Sequence, residues 1–125
     1  MRTKSLFLSV SILLSALTSC NANAWTDLTP DEFEKVYIAD GTVTIDVRSA
    51  DEYAEGHLYH AINIDWQKDG FIDEISSLFH KEMTLAIYCR SGRRSKAAAE
   101  QAVKQGFTVV ELDGGVLSWR GKLEQ

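Results

Sequence analysis

The sequence predicts an α/β domain with a mainly parallel sheet covered by helices on both faces. Three observations predict it. Short apolar runs of strand type alternate with helix-forming segments along the chain. The run Thr84-Leu85-Ala86-Ile87-Tyr88 has little polar character, as expected of a strand buried on both faces. Two helix-start signatures, Thr29-Pro30-Asp31-Glu32 and Ser49-Ala50-Asp51-Glu52, fall where the alternation needs them.

The chain has 125 residues, and the first 24 read as an export segment. Arg2 and Lys4 give a basic start, and Leu6 to Leu17 is an apolar run too short and serine-rich for a membrane span. Two processing sites compete. Ala22-Asn23-Ala24 predicts cleavage before Trp25, whereas Leu17-Thr18-Ser19-Cys20 resembles a lipobox, with residues 1–19 removed and Cys20 lipidated. Both predict a periplasmic domain, and only the second ties it to a membrane.

Residues 25–125 form one domain, long enough for a single core. Thr29 caps a first helix that runs to about Tyr37. Thr42 to Val47 reads as a buried strand, with Asp46 an odd carboxylate among apolar neighbours and Arg48 its expected partner. Ser49 caps a short helix through Ala54, and Gly56 stops it. His57 reads as a hydrogen-bonding structural residue. Ala61 to Ile64 is a short strand. Apolar residues at 71, 72, 75, 78 and 79 mark an amphipathic helix over Asp69–Phe79. The strand Thr84–Tyr88 follows, and Lys96–Gln105 is rich in helix formers and ends at Gly106. Phe107–Leu112 is a further strand, Asp113-Gly114-Gly115 a turn, and Val116–Trp119 a final short helix.

Between the Thr84–Tyr88 strand and the helix after it lies Cys89-Arg90-Ser91-Gly92-Arg93-Arg94-Ser95. Active loops of parallel sheets sit at the carboxyl ends of strands, where Cys89 falls. Loop N–H groups, the positive end of a helix and three arginines all favour an anionic, nucleophilic sulfur. An inert core cysteine would account for Tyr88-Cys89 but not for the arginine-rich turn after it. Cys89 is thus the candidate nucleophile, with Arg90, Ser91, Gly92, Arg93, Arg94 and Ser95 the candidate binding residues for its substrate.

The formal net charge of −5 becomes −7 once Arg2 and Lys4 are removed. A domain this acidic is a poor general binder of nucleic acid. Only Cys20 and Cys89 are present, no Cys/His cluster exists, and His57, His60 and His80 are scattered, so a zinc site has no support.

Asp46-Val47-Arg48, Glu52, Gly56-His57-Leu58, Ala61-Ile62-Asn63-Ile64, Tyr88 to Ser95, and Gly114-Gly115 with Trp119 together resemble the rhodanese (sulfurtransferase) family in its single-domain, periplasmic form. The resemblance implies a five-stranded mainly parallel sheet and a ping-pong reaction without metal or organic cofactor. In it Cys89 takes sulfane sulfur from a small anionic donor such as thiosulfate, forms a persulfide, and gives the sulfur to cyanide or a thiol. The chain departs from the family at His60, where a glycine is usual. Other classes are a non-catalytic rhodanese-like binding module, a cysteine-dependent phosphatase or arsenate reductase, and a thiol–disulfide oxidoreductase. Phosphatases require Cys-x5-Arg, whereas Cys89 to Arg94 is Cys-x4-Arg, and an oxidoreductase would need a second cysteine nearby.

Overall fold

The computed structural model describes residues 24–125. Cys20, the apolar run and all but the last residue of the export segment lie outside them. The elements are β1 (Thr26–Leu28), α1 (Pro30–Val36), β2 (Thr42–Asp46), α2 (Ala50–Glu55), β3 (Ile62–Asn63), α3 (Phe71–Leu78), β4 (Thr84–Tyr88), α4 (Arg93–Lys104), β5 (Thr108–Leu112) and a 3-10 turn (Gly115–Ser118). The five strands form one sheet in the order β1-β5-β4-β2-β3. All four strand pairings are parallel.

Local chemistry explains the helix starts. Thr29 and Ser49 each accept from the backbone N–H three residues on, and Glu32 and Glu52 reach back to the cap backbone, so both capping boxes form. Helix α4 begins earlier than the helix formers suggest. Gly92 takes φ 106° as its N-cap, and Lys96 N donates to Gly92 O at 3.1 Å. Arg93, Arg94 and Ser95 therefore belong to the first helical turn, and the loop proper is Cys89 to Gly92.

Strand β1 is the element that the sequence pattern does not mark. Three residues are too few to show a period of two, and its side chains are largely exposed. Backbone pairing with β5 makes it a strand, with Thr26 opposite Val110 and Leu28 opposite Leu112.

Two cores flank the sheet. Alternation along β4 sends Leu85, Ile87 and Cys89 into one with Ile75 of α3 and Ala98, Ala99 and Ala102 of α4. It sends Ala86 and Tyr88 into the other, with Phe33 of α1, Leu58 and Leu112. The alanines let α4 lie close on β4 and β5, which fixes where its first turn meets Cys89. The chain moves outward from β2 to β3, then returns to β4 and proceeds to β5 on the other side. The carboxyl ends of β2 and β4 thus flank the switch point where sites of such sheets form.

Candidate active site

Cys89 follows the last residue of β4 and is 1% exposed. Its Sγ accepts from Gly92 N at 3.1 Å and lies 3.3 Å from Ser95 Oγ. The loop is clamped from behind by the turn after β5. Val116 N donates to Cys89 O at 2.9 Å and Leu117 N to Arg90 O at 3.1 Å. A Cβ on Gly115 would overlap both carbonyls, so only glycine allows this approach.

Beside the loop a cleft of about 500 Å³ is lined by Ser91, Arg93, Arg94, Ala97, Trp66 and Gln67. Ser91 and Arg93 are exposed, and Arg94 is partly buried. Arg90 is exposed as well and is not part of the lining. Arg94 makes a two-pronged pair with Glu52, Nη1 to Oε1 at 2.7 Å and Nη2 to Oε2 at 2.9 Å. Those bonds hold Glu52 down to about 2. They also raise Arg94 above its ordinary value, with the Glu52 and Cys89 charges adding to the effect against burial. Glu52 thus orients Arg94 at the cleft, a second task for a capping-box residue.

Asp46, Arg48 and His57 serve the opposite core. Asp46 is fully buried and accepts from Arg48 N, Nε and Nη2, the last at 2.7 Å, and from Tyr88 Oη at 2.7 Å. Arg48 also donates to Gly56 O at 2.6 Å, and Tyr88 Oη accepts from Leu58 N. Burial, then the Asp46 charge, raises the Tyr88 hydroxyl above its ordinary value. This network ties the carboxyl ends of β2 and β4 together beneath the loop. His57 stacks on Tyr53 with ring centroids 3.8 Å apart and pairs through its backbone with Glu124. His60 adopts φ 65°, the left-handed conformation for which glycine is suited, at a cost of about 1–2 kcal/mol.

Two groups near the loop are absent from the sequence-predicted set. Trp66 and Gln67 line the cleft, and nothing in their sequence context marks them. Glu111, fully buried in β5, hydrogen-bonds Ser95 Oγ, and Lys96 Nζ reaches its Oε1 at 3.0 Å. Its signal was available, since a carboxylate between Val110 and Leu112 is the same oddity as Asp46.

The fold and site define a class: a parallel α/β domain with a buried cysteine at the carboxyl end of its central strand and, beside the loop that follows, a cleft carrying two arginines. Comparison with known proteins narrows it. The family model described as "Rhodanese-like domain" matches residues 29–122, and the chain belongs to that family. It is similar to "Thiosulfate sulfurtransferase GlpE" of Coxiella burnetii, 35% identical over 79 residues that cover 62% of this chain and 71% of that protein. It is also similar to the chloroplastic "Thiosulfate sulfurtransferase 16" of Arabidopsis thaliana, 32% identical over 85 residues, covering 60% of this chain and 71% of that one. Among solved structures, a rhodanese-like domain protein from Staphylococcus aureus superposes with TM-score 0.68 at 30% identity, covering 79% of this chain and 96% of that one.

Proposed function

We propose that the protein is a thiosulfate sulfurtransferase that carries sulfane sulfur as a persulfide on Cys89. The observation that carries the reading is the pairing of a sulfur fixed by a loop N–H with an adjoining cleft that offers arginine to an anion. The Cys89 thiolate attacks the outer sulfur of thiosulfate. The S–S bond breaks, sulfite leaves with the electron pair, and Cys89 becomes a persulfide. An acceptor, cyanide or a thiolate, then attacks the outer sulfur, and the Cys89 thiolate is released. Gly92 N–H and the free N–H groups of the first turn of α4 supply fixed partial positive charge where the sulfur anion sits.

The test is direct. Thiosulfate should add one sulfur mass to the Cys89 peptide, and cyanide should remove it as thiocyanate. Absence of both would overturn the reading.

We also propose that the domain works in the periplasm. The support is the basic start, apolar run and processing sites of residues 1–24. The mass of the mature amino terminus checks this: it would begin at Trp25, or at a lipidated Cys20.

A further inference from the structure

We propose that Glu111 is the proton acceptor for the Cys89 thiol, reached through the Ser95 hydroxyl. The inference rests on reading Cys89 as the sulfur-carrying nucleophile and assigns a positioning residue that this reading does not require.

The relay turns on one hydrogen atom. Ser95 Oγ is 3.3 Å from Cys89 Sγ, 3.1 Å from Gly92 O, and hydrogen-bonded to Glu111 Oε2. Cys89 is 1% exposed, and Ser95 and Glu111 are fully buried. The hydroxyl has a single proton for three acceptors. When Glu111 is a carboxylate it takes that proton, and an Oγ lone pair is left to receive the thiol S–H. When Glu111 is protonated it donates to Oγ, and Ser95 can donate to the sulfur.

The two arrangements interconvert by a balanced shift. The S–H bond breaks as its proton joins Oγ, and the Oγ–H bond to the original proton breaks as that proton joins Oε2. The thiol and carboxylate become thiolate and carboxylic acid, and the buried pair keeps one negative charge throughout. Losing the thiol proton to water instead would leave two buried anions joined through one hydroxyl, which the low-dielectric interior opposes.

The surroundings favour a proton on Glu111. Asp27 of β1 favours its protonated form, Lys96 of α4 contacts its Oε1 at 3.0 Å, and Asp113 lies 3.0 Å from the same lysine nitrogen. Asp27 Oδ1 is 3.7 Å from that nitrogen, so three carboxylates converge on one ammonium. Burial, reinforced by Asp27 and opposed by Ser95 and Lys96, raises Glu111 to about 7. The group can therefore accept and return a proton near neutrality.

The experiment is the pH profile of Cys89 alkylation by iodoacetamide in the full chain, read on the Cys89 peptide by mass. Wild type should show two steps more than about one pH unit apart, as coupled groups do. Glu111→Gln should show one step. Ser95→Ala should also show one, and Ser95→Thr, which keeps the hydroxyl, should restore two. A single step in the wild type overturns the proposal, as does persistence of both steps in Glu111→Gln or in Ser95→Ala. If Glu111→Gln fails to fold, the two Ser95 variants decide. Sulfur loading from thiosulfate is measured separately on the same wild-type sample. Loading with a one-step profile would sink the relay alone, and a two-step profile without loading would sink the sulfurtransferase reading alone.

Discussion

Cys89 concentrates the proposed chemistry at the residue scale, and Cys89→Ser is expected to abolish the persulfide mass shift while leaving the fold intact. Arg94 is a more discriminating test. Its guanidinium lines the cleft yet is held by Glu52. Arg94→Ala should lower thiosulfate turnover by about 10²-fold, the loss typical of one aligned transition-state donor. Unchanged steady-state kinetics would remove Arg94 from the site. The candidate nucleophile was legible because strand, cysteine, glycine and arginines are contiguous in the chain. The Glu52–Arg94 pair was not, because 42 residues separate the partners and Glu52 already had an explanation as a cap. Glu111 could be seen as an oddity within its strand, but its role was not legible, because its partners come from β1 and α4.

At the scale of elements, the turn after β5 and the end of β2 hold the loop from two directions. Gly115→Ala is expected to destabilise by about 2–4 kcal/mol, because φ 63° disfavours a side chain and the added methyl meets the Cys89 and Arg90 carbonyls. Urea unfolding measures the loss, and sulfur loading should fall with it. Asp46→Ala should cost about 3–5 kcal/mol by stranding Arg48 as a buried charge. Most elements could be read from periodicity and caps, and their limits shift by a few residues at most. Two features lay outside both signals. Strand β1 exists through its pairing with β5, and the early start of α4 depends on the left-handed backbone of Gly92. Neither pairing nor backbone sign is written in local composition.

For the whole molecule, two carboxyls bend the stability curve in opposite directions. Glu52 ionises more readily folded than unfolded, so its contribution is complete above its ordinary 4.5 and is lost as pH falls through about 2. Glu111 binds its proton more tightly when folded. Its contribution is complete below 4.5 and is lost as pH rises through about 7. Thermal unfolding of the wild type should thus decline from pH 5 towards 8 more steeply than that of Glu111→Gln, and parallel slopes would contradict the assignment. The edge position of β1 has one more consequence. Only five residues lie between Cys20 and Thr26, a reach of at most about 20 Å. Were Cys20 acylated, that short leash would keep the β1 side of the sheet within reach of the bilayer, because it joins the sheet at Thr26, opposite Val110 in the middle of β5.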